Sequence, residues 1–132
     1  MPKTALFHRQ YLGYSGGHGK VWDYFNHVIK SALYEPGIFF TSDSVFDASN
    51  PWSRSTNYIV PEWKPEKANL LFLAGMDWQA MPAEWHTKIP VINLIQGVRH
   101  ADPDLPLYNF LNRPAVRICV SQPVADAILV TG

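Results

Sequence analysis

Five short apolar segments, each separated from the next by polar or helical sequence, constrain the fold of this chain more than any other feature. They lie at residues 4–9, 38–41, 69–74, 90–95 and 115–120. Near-continuous apolar strands of this kind are typical of a parallel sheet that is covered on both faces. We therefore expect an α/β fold with a doubly wound, mostly parallel sheet.

The segments between these strands differ in their predicted structure. Apolar residues recur at helical spacing over 20–33, and a Pro-Gly pair at 36–37 is predicted to end that helix. Shorter helical segments are predicted at 76–85, 107–112 and 123–130. Residues 42–67 are predicted to be mostly loop, with a short helix or strand near 58–60. So long a connection is uncommon in a compact domain unless it is functional.

The composition indicates one soluble, folded domain spanning 1–132. Hydrophobic residues make up 47% of the chain and charged residues 17%, as in ordinary globular domains. The 11 Lys and Arg residues balance the 11 Asp and Glu residues, so the chain lacks the positive field that nucleic-acid binding needs. The single cysteine, Cys119, cannot form an internal disulfide, and the first residues do not form a signal peptide. We expect a cytoplasmic protein whose membrane contact is at most peripheral, at the inner face.

Aromatic residues are abundant, at 14% of the chain with five Trp. One interpretation is a core that is rich in aromatic side chains. The other is that some Trp residues line a carbohydrate or lipid-acceptor site, since flat apolar faces suit sugar rings.

A glycine-rich turn between the first strand and the first helix gives the strongest chemical indication. Four glycines fall within the seven residues at 13–19, GYSGGHG. Glycine allows close approach of the backbone, and the free N–H groups and dipole at a helix start favour an anion such as a diphosphate. The alternative is a turn that is rich in glycine for geometry alone.

Two familiar phosphate-binding motifs do not fit this turn. A P-loop is excluded because Tyr14 stands at its first glycine position and Val21 at its hydroxyl position. The dinucleotide pattern is incomplete because Trp22 replaces its third glycine, although Asp43 after the second strand offers a ribose ligand. A nicotinamide-dinucleotide-binding enzyme therefore remains an alternative, as does a non-catalytic binding module.

Three segments together resemble landmarks of the GT-B glycosyltransferases, especially their family 4-like group. They are YSGGHGKV at 14–21, VINLIQG at 91–97 and RICVSQPVA at 117–125, in the order of that family. The resemblance implies two Rossmann-like domains that face a cleft, of which this chain is the N-terminal, acceptor-side domain. It implies transfer of a sugar from a nucleotide-sugar donor to a glycan or lipid-linked acceptor, as in polysaccharide biosynthesis. No metal or other cofactor is expected.

The resemblance also assigns binding residues. Gly16 and Gly17, with Gly19 beside them, are expected to approach the donor diphosphate. Gln96 and Gly97 stand where many relatives carry His-Gly or His-Asp. Because an amide can hydrogen-bond but does not transfer a proton at neutral pH, Gln96 is expected to bind a sugar hydroxyl.

Four further candidates each have a second interpretation. His18 is a candidate general base for the acceptor hydroxyl, and otherwise a surface histidine of the loop. Arg99 and His100 are candidate contacts of the acceptor or a phosphate, and otherwise loop residues. Ser121 matches a serine of the family, and otherwise caps the helix that follows it.

Other catalytic patterns do not support a different enzyme class. Asp102 and Asp104 spell D-x-D, but they lie in a predicted loop and are not expected to hold a metal. The histidines lack H-E-x-x-H spacing, and one cysteine cannot form a zinc cluster. The pair of glutamates separated by seven intervening residues, which the family carries in its second domain, is absent. We therefore expect that the chain lacks the C-terminal donor-binding domain and is inactive alone.

Overall fold

The computed structural model of the protein describes residues 3–81, 89–113 and 115–130. In this part of the chain, five strands form one sheet in which all neighbouring strands are parallel. The strands are β1 Thr4–Arg9, β2 Glu35–Phe40, β3 Leu70–Ala74, β4 Val91–Ile95 and β5 Val116–Cys119. Their order across the sheet is β2-β1-β3-β4-β5. The predicted doubly wound, Rossmann-like α/β fold is confirmed.

Short helices connect the strands. The α-helices of the described ranges are α1 Gly16–Ser31, α2 Pro106–Asn109 and α3 Gln122–Leu129. The 3-10 helices are Pro51–Arg54, Thr56–Tyr58, Pro65–Lys67, Gly75–Ala80, Val98–Ala101 and Phe110–Asn112. Within the residues that the structure describes, every helix is too short or too polar to cross a membrane.

The core has two layers because successive side chains of a strand point to opposite faces of the sheet. On the α1 face, Phe7 of β1 packs edge-on against Phe25 of α1 with ring centres 4.9 Å apart. Phe7 also stacks on Phe72 of β3 at 4.5 Å. On the opposite face, Leu6 and Trp78 belong to a second buried cluster. Burial of both faces explains why the strands have near-continuous apolar sequences.

Helix α1 begins four residues earlier than the apolar pattern predicts. Ser15 has extended backbone angles, and its Oγ accepts a hydrogen bond from the His18 amide at 3.4 Å, so it caps the helix. The glycines from Gly16 onward therefore form the first turn of the helix. The apolar pattern did not predict this turn because glycine has a low helix propensity.

The C-terminus of α1 contains a strained residue. Ala32 follows the helix with φ of 56°, in the left-handed region that glycine adopts more readily. We expect Ala32→Gly to raise the free energy of unfolding by about 1 kcal/mol, because it removes the clash of Cβ with the backbone. The matched substitution Ala125→Gly, inside α3, should lower it by about 0.5–1 kcal/mol. Urea denaturation of both variants measures these changes. Changes in the free energy of unfolding that have the same sign in both variants would contradict the prediction.

Strand β2 begins at Glu35 and so contains the Pro-Gly pair that was predicted to end the helix. Pro36 is tolerated because β2 is at the edge of the sheet, where one side of the strand needs no ladder hydrogen bonds. The free side of β2 is partly covered by the loop at 42–67. There Ile59 forms an isolated parallel bridge with Ile38, and the Val60 amide donates to the Ile38 carbonyl at 2.9 Å.

The remaining predicted elements are found close to their expected positions. Strands β3, β4 and β5 begin and end within one residue of the predicted apolar segments, and α3 likewise lies within one residue of its predicted range. The segment predicted as helical at 107–112 forms α2 and the 3-10 helix that follows it. The segment predicted at 76–85 is a 3-10 helix ending at Ala80, and its positions 82–85 lie outside the described residues.

Candidate functional site

The strand order reverses between β1 and β3, and this reversal determines where a ligand site is expected. Connections leaving neighbouring strands diverge at such a point and open a crevice at the carboxyl ends of the strands. A cleft of about 670 Å³, here called the rim cleft, lies at this edge. Most of the predicted binding residues line it, namely Gly16, Gly17, His18, Gln96, Gly97, Arg99 and His100.

Gly17 and Gln96 meet across the rim cleft although they are 79 residues apart in sequence. The Gln96 side chain donates from Nε2 to the Gly17 carbonyl at 3.3 Å. A Cβ atom on Gly17 would lie 3.6 Å from Nε2 and Oε1 of Gln96. The first turn of α1 and the end of β4 therefore form two walls of one cleft.

Two predicted binding residues do not line the rim cleft. Gly19 faces the Tyr14 ring, and a Cβ atom there would lie 2.6 Å from the Tyr14 hydroxyl. Ser121 caps α3, since its Oγ accepts from the Val124 amide at 3.5 Å, which is the alternative role that the sequence offered.

The D-x-D motif forms a local turn. Asp102 Oδ1 accepts a hydrogen bond from the Asp104 amide at 2.9 Å, which is the geometry of an Asx turn. In the described ranges, no three residues of the types His, Cys, Asp and Glu are grouped so that they could hold a metal ion.

His18 is held by a buried arginine in the rim cleft. Its Nδ1 lies 3.3 Å from Arg9 Nη1, and because a guanidinium only donates, Nδ1 accepts and the ring proton lies on Nε2. Burial lowers the pKa of His18, the positive charge of Arg9 lowers it further, and Asp77 opposes them. At neutral pH this ring is uncharged and presents an N–H donor. The predicted role as general base would require release of the Arg9 contact.

A buried ion pair at the base of the rim cleft was not predicted from the sequence. Arg9 is 8% exposed and Asp77 4% exposed. Arg9 Nη2 donates to Asp77 Oδ2 at 3.0 Å and to the Ala74 carbonyl at 3.1 Å. Asp77 also accepts from the Ala74 amide and contacts His8 Nδ1, both at 3.0 Å. The available clue was a charged residue at the end of an apolar strand, Arg9.

His100 is buried beside two arginines. Burial lowers its pKa, and the positive charges of Arg99 and then Arg117 lower it further. Arg99 itself is exposed at the rim. His100 is therefore a neutral wall residue of the cleft, while Arg99 is free to contact a charged ligand.

The depressed pKa values of His18 and His100 make stability depend on pH. Their folded pKa values lie below 6.5, the ordinary value, so the unfolded chain binds more protons as the pH falls through this range. The stabilisation is complete above about pH 6.5 and is lost as the pH falls toward the folded pKa values. We expect the free energy of unfolding to be lower at pH 5 than at pH 7.5, measured by urea denaturation.

Single variants identify the histidines responsible for this pH dependence. His18→Asn and His100→Gln should each reduce it. An unchanged slope in these two variants would refute the assignment.

The rim cleft is suited to an anion. Helix α1 has no acidic residue in its first turn, so nothing offsets the positive end of its dipole at Gly16 and Gly17. Arg99 adds an exposed positive charge, while the carboxylate of Asp77 is paired with Arg9. His18 contributes a neutral N–H donor. Comparisons of the chain with protein-family models, with curated proteins and with solved structures found no match.

Proposed function

We propose that the chain is the N-terminal, acceptor-side domain of a glycosyltransferase that transfers a sugar from a nucleotide-sugar donor to a glycan or lipid-linked acceptor. The observation that supports this most is the contact of Gly17 with Gln96 in a cleft suited to anions, at the reversal of strand order. These residues belong to two of the three segments that resemble GT-B enzymes. The third segment forms β5 and the start of α3.

The proposed roles follow from the groups that each residue presents. The amides of Gly16 and Gly17 and the Arg99 guanidinium contact the donor diphosphate, and His18 donates from Nε2 to one of its oxygens. Gln96 hydrogen-bonds a hydroxyl of the donor sugar. A C-terminal domain supplies the remaining donor contacts, and no metal takes part.

The transition state of this reaction needs the most stabilisation at the diphosphate side of the cleft. An acceptor hydroxyl oxygen bonds to the anomeric carbon, the bond from that carbon to the diphosphate breaks, and the hydroxyl proton passes to the departing diphosphate or to solvent, while negative charge grows on the leaving oxygen. Preorganised N–H donors and cations at that oxygen lower the barrier. The backbone N–H groups at the start of α1, the Nε2–H group of His18 and the Arg99 guanidinium would act at that oxygen.

Nucleotide titration tests the proposal. We expect UDP, GDP or dTDP to shift the amide resonances of Gly16 and Gly17 and the side-chain amide of Gln96 in the ¹⁵N-labelled chain. NAD is the matched competitor because it carries a diphosphate and two riboses. Tighter binding of NAD than of every nucleoside diphosphate would favour the dinucleotide alternative, and binding of neither would favour a non-catalytic module.

A further inference from the structure

A second cavity adjoins the rim cleft, with which it shares Arg9 and Met76, and extends toward Thr41, the residue that follows β2. It has a volume of about 300 Å³ and is lined in part by His8, Gln10, Thr41 and Gln79. His8 follows Phe7 in β1 and so points to the opposite face, where its ring meets the edge of Trp63 at 4.9 Å. We call this cavity the His8 pocket.

The wall of the His8 pocket contains an imidazole held by a carboxylate. His8 is 7% exposed, and its Nδ1 lies 3.0 Å from Asp77 Oδ1. Asp77 already accepts from Arg9 and from the Ala74 amide, so it acts as an acceptor toward His8 as well. A ring proton therefore lies on Nδ1, and Nε2 is the ring nitrogen that remains for another partner.

Nothing in the described ranges pairs with this nitrogen. His8 Nε2 has no hydrogen-bond partner among residues 3–81, 89–113 and 115–130, and it is not one of the unpartnered atoms that are sealed from solvent. A buried polar residue in a core is costly unless its groups are paired. A ring nitrogen that is open to a cavity is instead available to a ligand.

The charges around the His8 pocket disfavour anions. Arg9 and Asp77 in its wall neutralise each other. Beside it, Asp43 accepts from Thr41 Oγ1 at 2.6 Å and from Gln10 Nε2 at 2.7 Å, and these hydrogen bonds lower the pKa of Asp43, which is ionised at neutral pH. The Gln10 amide nitrogen is thus engaged, which leaves its oxygen as an acceptor. The pocket wall therefore offers polar hydrogen-bonding groups beside a negative charge.

We infer that the His8 pocket binds a neutral, hydroxyl-bearing ligand of about one sugar ring, whose hydroxyl groups form hydrogen bonds with His8 Nε2 and with Gln10 Oε1. Its volume lies at the lower end of the range of small-molecule sites. Although the two cavities share Arg9 and Met76, the proposed contacts His8 and Gln10 are not among the residues that line the rim cleft. Only the interpretation of the His8 pocket as a subsite for the sugar acceptor rests on the proposed function.

The test is a titration of the ¹⁵N-labelled chain with methyl α-D-glucopyranoside and with glycerol. We expect at least one of them to move the His8 Nε2 resonance and the Gln10 side-chain amide, while His8 keeps its proton on Nδ1. Inorganic phosphate should move the amides of Gly16 and Gly17 and leave His8 unchanged. No response of His8 to either polyol, or a response to phosphate, would overturn the inference.

Variants distinguish the loss of a ligand contact from the loss of folding. His8→Phe keeps a flat ring but removes Nε2, and it should weaken polyol binding at least about fivefold, as expected for one hydrogen bond. Gln10→Met changes an exposed side chain and should weaken it about threefold without affecting the fold. His27→Phe, on the exposed side of α1, is the control. Unchanged affinity in Gln10→Met and His8→Phe would refute the assigned contacts.

The same sample distinguishes this inference from the proposed function. UDP that fails to shift Gly16 and Gly17 would count against the proposed function and leave the polyol result intact. Polyols that fail to shift His8 would count against the His8 pocket alone.

Discussion

Asp77→Ala is expected to lower the free energy of unfolding by about 3–5 kcal/mol, because it leaves the buried Arg9 guanidinium without a counter-charge. The substitution also removes the acceptor of the His8 ring and of the Ala74 amide. A small domain is stable by only about 5–15 kcal/mol, so this loss is large. Urea denaturation followed by tryptophan fluorescence measures it.

The matched control is an ion pair on the surface. Glu62 lies 2.8 Å from Lys64, and both side chains are exposed, so Glu62→Ala should cost no more than about 1 kcal/mol. Adding Arg9→Met to Asp77→Ala should recover part of the loss, because the unpaired buried cation is then gone. A cost for Asp77→Ala as small as that for Glu62→Ala would show that the buried pair does not support the fold.

Gly17→Leu is expected to weaken UDP binding at least tenfold without lowering stability. A Cβ atom on residue 17 would lie 3.6 Å from the side-chain amide of Gln96. A longer side chain would therefore displace Gln96 and enter the rim cleft. Leucine is also a better helix former than glycine, by about 0.5–1 kcal/mol. Urea denaturation that gives the variant at least the stability of the parent chain shows that lost binding is not due to unfolding. Titration of both proteins with UDP measures the change.

His27→Leu is the matched control, since it places the same side chain on the exposed side of the same helix. It should leave the UDP affinity unchanged. Equal affinity of the Gly17→Leu variant and the parent chain would place the nucleotide elsewhere and remove the main support for the proposed function.

The sheet was predictable because burial on both faces leaves a near-continuous apolar sequence in each strand. Element ends were less predictable where a residue acts against its usual preference. Gly16 and Gly17 are helical because Ser15 caps the helix, and Pro36 lies in a strand because that strand is at an edge. Whether these residues are helical or extended depends on neighbours in space that a single sequence does not reveal.

The same difference appears in the candidate site. The meeting of Gly17 with Gln96 followed from a general rule, that carboxyl ends of parallel strands share one edge. No such rule predicts the pairing of Arg9 with Asp77, because these residues are 68 positions apart and neither belongs to a motif. Periodicity predicts which side chains are buried, but it does not identify the partners of buried charges.

The loop at 42–67 protects one side of the sheet from association with other chains. Unpaired backbone groups on an edge strand are a template for addition of a foreign strand, as in aggregation. The bridge between Ile59 and Ile38 occupies that position on β2. In the described part of the chain, β5 is the opposite edge strand and begins at the exposed Val116. Within the described residues, β5 carries no bridge like that between Ile38 and Ile59, so its outer backbone groups are the ones left open to pairing.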